Sequence, residues 1–305
     1  VSEPRPKTAS ESSKTIIFMV LLSFFCALLL SSLASILAKP KEIAKDLDRS
    51  KQLMIAAKIL DHSGYFLMTD SKGETIPAKY SKGGVLVPGT ENDLATNAQL
   101  IEIYEKRVKP ILVNSKGDIS TFEEQKINLD EYLAEYKKMG YYKAPWKLVY
   151  KIMPNSAPDA KNQKPDGYVI PVSGNGLWNA IYGYLALKPD GDTVTGISWY
   201  EHQETPGLGG NIAEPEWQSL FPGKKIFQES PGGKTDFKTA SLGLIVVKGK
   251  VDEVLGSSPK AKSAVDGMTG ATLTGNGVTD AYRDVLAPYR PFLLKIQEEY
   301  SKNQK

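Results

Sequence analysis

Cysteine and histidine are almost missing from this chain of 305 residues, which has one Cys, Cys26, and two His, His62 and His202. A single thiol excludes a disulfide framework. It also excludes an iron–sulfur cluster or a cysteine-ligated zinc site built by this chain alone. Two histidines leave no basis for a histidine-rich metal site. A surplus of charge is lacking too. The 38 Lys+Arg against 35 Asp+Glu leave +3, which is no electrostatic footprint for nucleic acid. Nor is apolar content short: 41% of residues are hydrophobic and 24% charged, so wholesale disorder is excluded. One or two domains are expected, with a core that needs no staples.

The apolar residues are unevenly spread. No charge interrupts Thr15 to Ala38. As a helix that run spans about 36 Å, enough for a hydrocarbon core of about 30 Å with some tilt. Lys14 and Lys39 bracket it and can snorkel to headgroups. A secretory signal peptide has a shorter apolar region followed by small-x-small. Here the candidate end reads Ile36-Leu37-Ala38, with a large residue at the −3 position. The expectation is an uncleaved transmembrane helix over 15–38, with Cys26 packing mid-span. Arg5, Lys7 and Lys14 precede the span; Lys39, Lys41, Lys45, Arg49 and Lys51 follow it. The bare count puts the C-terminal side in the cytoplasm, but large domains translocate largely regardless of charge. The reading is therefore a cytoplasmic tail over 1–14 and a C-terminal domain outside.

Residues 39–164 read as a membrane-proximal α/β region and connector. Pro40 marks the membrane exit. A helix is expected over 42–60, with Ile43, Leu47, Met54, Ala57 and Leu60 near one face. Short strands and loops are expected over 61–95, and helices over 97–109 and 129–138. Lys143 to Lys164 contains Pro145, Pro154 and Pro158 and reads as connector. Strands are expected at 168–172, 181–187 and 193–200, with a turn at Lys188-Pro189-Asp190-Gly191-Asp192 making a hairpin. Leu242 to Val251 reads as a buried strand. A helix over 276–287 carries Val278, Ala281, Tyr282, Val285 and Leu286 on one face and stops at Pro288. Residues 294–305 read as a solvated or frayed tail.

Chemistry concentrates in Val265-Asp266-Gly267-Met268-Thr269-Gly270-Ala271-Thr272-Leu273-Thr274-Gly275-Asn276-Gly277-Val278. Small and hydroxyl-bearing residues here open onto a helix that Thr274 or Asn276 can cap. Free N–H groups at a helix start favour an anion. From the residues alone two readings stand: a capped turn without ligand, or a seat for a phosphate, bound or esterified to a threonine.

Asp-Gly-x-Thr-Gly-Ala-Thr at 266–272 resembles the flavinylation motif of the FMN-binding domain family. In that family a flavin transferase moves the FMN moiety of FAD onto the last threonine of the Ser/Thr-Gly-Ala-Thr core. The resemblance implies Thr272 as the residue esterified to FMN. It puts Thr269 at the Ser/Thr position, with Gly270 and Ala271 between, and Asp266 at the acidic position read during attachment. Thr274 is the second choice. The hydroxyl is a weak nucleophile, so the activating base and metal should belong to the transferase.

Two further stretches resemble the same family. Gly174-Asn175-Gly176-Leu177-Trp178 is similar to its Gly-x-Gly-Leu-Trp segment. As a dinucleotide fingerprint the stretch fails, because Asn179 replaces the third glycine. Trp178 either flanks an isoalloxazine ring or is a core tryptophan. Glu201-His202-Gln203-Glu204-Thr205-Pro206-Gly207-Leu208-Gly209-Gly210 resembles the family's Glu-His-x-Glu-Thr-Pro-Gly-Leu-Gly-Gly loop. It is read as flavin-lining through Glu204, Thr205, Gly207, Leu208 and Gly209, or else as a turn held by its own side chains. One histidine and two acids are thin grounds for a metal, and none is expected.

The resemblance is strong over about 165–293. It implies an α+β (mixed α/β) extracytoplasmic flavin-binding domain behind a single transmembrane helix in a bacterial inner membrane. The implied role is an electron relay with one covalent FMN. The implied setting is a multisubunit, Na+-pumping NADH:ubiquinone oxidoreductase, with other subunits, a maturing flavin transferase and the lipid bilayer as partners. No catalytic residue and no nucleic acid are implied. The alternatives are a G-type flavin subunit of an Rnf-like ferredoxin:NAD+ complex, a membrane-anchored binding module without cofactor, and a secreted enzyme released from a signal peptide.

Overall fold

The computed structural model describes residues 9–70, 72–155, 163–233 and 235–303. Most of the expected N-terminal tail, with Arg5 and Lys7, lies outside the described residues, as do Pro158 and Lys305. The chain divides into two units, residues 1–48 and 49–305.

Helix α1 (Ala9–Ala56) runs without interruption through residue 40, so the helix expected over 42–60 is the continuation of the apolar span and stops at Ala56. Within the first unit, Ser13–Ala38 has a mean hydropathy of 2.7 and is long and apolar enough to cross a membrane. In the second unit the helix ends at Ala56, after Leu53, Met54 and Ile55 have entered a core.

The second unit is built on strands. A meander of β1 (Phe66–Thr69), β2 (Thr75–Ser81) and β3 (Val85–Pro88) forms a small antiparallel sheet. Helix α2 (Asn97–Arg107) starts at a capping box made by Thr96 and Gln99. It gives way directly to strand β4 (Val108–Val113), where the sequence reading continues the helix to 109. After β5 (Ile119–Ser120) come the short α3 (Phe122–Gln125) and α4 (Leu129–Met139). Strand β6 (Lys147–Ile152) occupies part of the segment expected as connector. Its Leu148 and Val149 are fully buried. The prolines at 145 and 154 flank the strand rather than interrupt its hydrogen-bond ladder.

The expected hairpins follow as β7 (Gly167–Asn175), β8 (Ala180–Leu187) and β9 (Val194–Glu201). Gly191, at φ +69°, closes the β8–β9 turn as the Pro-Asp-Gly pattern requires. The main sheet has the order β5-β4-β6-β7-β8-β9, antiparallel throughout. It therefore draws strands from both sides of residue 165.

Both faces of this sheet are covered. Ile111, Val149, Ile170 and Leu185 belong to one core. Their neighbours Leu112, Leu148, Val169 and Ala186 belong to the other, as the period-2 alternation of a strand dictates. The first core is closed by α7 (Thr272–Leu286) and α8 (Arg290–Lys302), the second by the end of α1 with α2 and α4. Before α7 lie the one-turn α5 (Pro215–Gln218), strand β10 (Ile245–Val246), the one-turn α6 (Val251–Val254) and β11 (Ala264–Val265), which pairs with β10 in parallel.

Three further elements differ from the sequence pattern. The strand at 242–251 shrinks to two residues, because the chain turns at Gly243 (φ +127°) and again at Gly249 (φ +110°). Helix α7 starts at Thr272, four residues before the expected 276. Residues 294–302 are no tail but the body of α8, with Ile296 buried beside Phe292 and Leu293.

Candidate functional site

Three segments meet at the start of α7. The first is the tip of the β7–β8 hairpin, closed by Gly176 N–H donating to the Asn179 carbonyl at 2.8 Å. Leu177 and Trp178 stand at that tip. Trp178 is 66% exposed and is no core residue; its Nε1 donates to Thr205 Oγ1 at 3.1 Å.

The second segment is the loop after β9. The Thr205 carbonyl accepts from Leu208 N–H at 3.1 Å and Gly210 N–H at 2.9 Å, folding the loop on itself. Gly207 supplies the left-handed residue at φ +75°. His202 Nδ1 accepts from the Glu204 N–H at 3.2 Å, so the histidine shapes the loop.

Glu204 is 5% exposed. Oε1 accepts from Trp178 N–H at 3.0 Å, and Oε2 from Leu177 N–H at 3.0 Å and from the Thr274 hydroxyl. Burial alone would raise its pKa. The bonds from Thr274, Trp178 and Leu177, with His202 nearby, outweigh burial and hold it below the ordinary glutamate value.

The third segment is the motif itself. Met268 to Ala271 is a β-turn, with Ala271 N–H donating to the Met268 carbonyl at 3.1 Å. Gly270 sits at its third position with φ +74°, where only glycine is unstrained. Leu208 packs on that turn, its Cδ2 3.0 Å from where a Cβ on Gly270 would stand. Helix α7 then begins with Ala271 as N-cap and no side-chain cap bond. Neither Thr274 nor Asn276 caps it. Thr272 is its first residue, exposed, and Thr274 is 1% exposed.

Asp266 is tied to other segments. Its Oδ1 accepts from Val251 N–H at 2.8 Å at the start of α6, and its carbonyl from Trp217 Nε1 at 3.0 Å.

A cleft of about 250 Å3 opens at the helix start. Its walls are Val246 to Gly249 on one side, and Gly267 to Thr272 with Gly275 and Asn276 on the other. Thr269, Gly270, Ala271 and Thr272 all line it; Asp266, Trp178, Glu204 and Thr274 do not. Lys248, which sequence reading passed over, is the one charged residue among those lining it. Only the pairing of β10 with β11 brings it opposite the motif, so no local pattern could have flagged it. Closeness of the walls depends on glycine: a Cβ at Gly267 would collide with the Val247 carbonyl.

An uncapped helix start, an exposed threonine as its first residue and a lysine across the cleft suit a phosphate group. The exposed Leu177, Trp178 and Leu208 beside them suit a flat apolar ring. Among the described residues no group of three or more His, Cys, Asp or Glu could hold a metal ion.

This fold and cleft define a class. Residues 176–287 match the sequence profile of the FMN-binding domain, and that stretch contains the whole site. Relatives narrow it further. The chain is 40% identical to the C subunit of the Na(+)-translocating NADH-quinone reductase of Chlamydia caviae, over 97% of this chain and 96% of that protein. It is 30% identical to the same-named protein of Haemophilus ducreyi, over 93% and 94%. The crystal structure of the corresponding protein from Parabacteroides distasonis shares the fold, with a TM-score of 0.51 and 22% identity over 84% of this chain and 96% of that one. The chain belongs to the family of Na(+)-translocating NADH-quinone reductase C subunits.

Proposed function

We propose that this chain is an electron relay of a Na+-pumping NADH:ubiquinone oxidoreductase, carrying one FMN joined by a phosphoester to Thr272. The observation that carries the reading is the Thr272 side chain itself. It is exposed on the first residue of a helix with no side-chain cap, at the mouth of a cleft that suits a phosphate. Thr274 is a poor rival, because its hydroxyl is buried and engaged by Glu204.

Attachment from FAD balances as a transfer. The Thr272 Oγ–phosphorus bond forms, the pyrophosphate bond breaks, AMP leaves, and the hydroxyl proton passes to a base on the transferase. Backbone N–H groups at the start of α7, with Lys248 across the cleft, would hold the phosphate's charge. Thr269, Gly270 and Ala271 would leave clearance. Trp178, Thr205, Gly207, Leu208 and Gly209 would border the ring. FMN would supply reversible uptake of one or two electrons; the chain's own residues bind it and keep it from diffusing away. Asp266 is read as the acid recognised during attachment.

Anchoring through Ser13–Ala38 in a bacterial inner membrane, with the domain on the periplasmic side, completes the reading. Other subunits of the complex would deliver and take the electrons. An Rnf-type assignment is disfavoured by the extent of the match to the quinone-reductase relatives.

The test is expression with an active flavin transferase, then a denaturing gel viewed under ultraviolet light. Wild type should fluoresce, Thr274→Ala should keep fluorescence at a reduced level, and Thr272→Ala should be dark. A dark wild type, with the transferase active on another target, defeats the proposal. Orientation is read by labelling Lys116→Cys, an exposed position, with an impermeant maleimide on intact spheroplasts. Labelling only after lysis would put the domain inside.

A further inference from the structure

We infer that Glu204 is a positioning residue: its buried carboxylate latches the Leu177-Trp178 hairpin tip to the start of α7 and so sets how Trp178 and Thr272 are presented. This rests on the reading of Thr272 as the attachment point. Glu204 does not line the cleft. Both of its oxygens are engaged, by two backbone N–H groups from one segment and a hydroxyl from another.

The residue type fits the task. All three partners donate, and a carboxylate only accepts. A glutamine would turn an NH2 group toward donors. Two glycines leave the carboxylate its place. A Cβ on Gly176 would collide with Oε1; one on Gly209 would collide with Thr274 Oγ1 and stand 2.8 Å from Oε2. Two glycines on two different loops are therefore needed for one carboxylate to reach a third segment.

The latch also fixes a direction. Residues two apart on a helix point about 200° apart. Drawing Thr274 inward to Glu204 therefore turns Thr272 outward. The same carboxylate holds the backbone of Trp178, while Thr205, one residue on, holds its indole N–H.

The experiment uses the full chain in membranes with Glu204→Gln, Thr274→Val and Thr274→Ser. Amide hydrogen exchange at Leu177 and Trp178 is measured in a Thr272→Ala background, which has no attachment hydroxyl. Covalent flavin fluorescence is measured with Thr272 present. Glu204→Gln should speed exchange at both amides about tenfold or more, the loss expected for a hydrogen bond to a charged group; Thr274→Val, which leaves those two bonds but frees the carboxylate from α7, should speed it to a smaller but measurable degree, and both should lower flavin incorporation. Thr274→Ser keeps the hydroxyl and should restore both readings. Unchanged exchange in Glu204→Gln and Thr274→Val overturns the latch, as does a Thr274→Ser variant as damaged as Thr274→Val. If exchange responds while wild type stays dark, the latch stands and the attachment reading falls.

Discussion

Thr272 and Thr274 stand two residues apart at the start of α7 and face opposite environments: Thr272 is exposed, whereas Thr274 is 1% exposed and donates its hydroxyl to Glu204. Their substitution should separate cleanly. Thr274→Ala leaves a buried carboxylate short of a donor and should cost about 1–3 kcal/mol. Thr272→Ala should stay within about 0.5 kcal/mol of wild type. Urea unfolding of the two variants measures both; equal costs would contradict the buried bond.

Gly277→Ala should reverse the usual sign. In a helix interior alanine is favoured over glycine by about 1 kcal/mol. Here α7 lies so close to β7 that a Cβ on Gly277 would collide with the Asn175 carbonyl. The substitution should therefore destabilise by about 1–3 kcal/mol. A thermal melt that rises instead would mean that helix and strand are further apart.

The C-terminal helix is core. Phe292 is fully buried, packing edge-on against Tyr168 with centroids 5.3 Å apart. Phe292→Ala should cost about 3–5 kcal/mol. Glu298→Ala, exposed on the same helix, should cost under about 0.5 kcal/mol. Chemical denaturation distinguishes them.

Acid should loosen the site through Glu204. Its folded pKa lies below the ordinary value, which is about 4.3 in an unfolded chain. A lowered pKa means the folded state binds the proton less readily. The carboxylate's contribution is therefore fully present above about pH 4.3 and is lost as pH falls through the lower folded value. Exchange at Leu177 and Trp178 should be steady from neutral pH down to that range and rise below it, after correction for intrinsic exchange. In Glu204→Gln the rise should be absent.

Much of the fold could be read locally. The β8–β9 hairpin announced itself through Pro189-Asp190-Gly191, and α7 through the spacing of Val278, Ala281, Tyr282, Val285 and Leu286. Elsewhere local signals conflict. Pro288 reads as a stop, yet a 3-10 turn over Ala287–Tyr289 carries the chain into α8. Pro291 sits in the first turn of that helix, where its missing N–H costs nothing. Strand β6 was hidden because prolines flank a short run whose two faces are both buried, leaving no polar alternation to mark it.

The sequence by itself determined the apolar span and the motif at 266–272, because each is written in consecutive residues, and the single cysteine, which is a matter of counting. Only the tertiary structure decided which threonine is exposed and what Glu204 holds. Glu204 and Thr274 are 70 residues apart, and Lys248 reaches the cleft only through the pairing of β10 with β11. Such contacts depend on where the sheet and α7 bring distant backbones together, and residue identity does not encode that distance position by position.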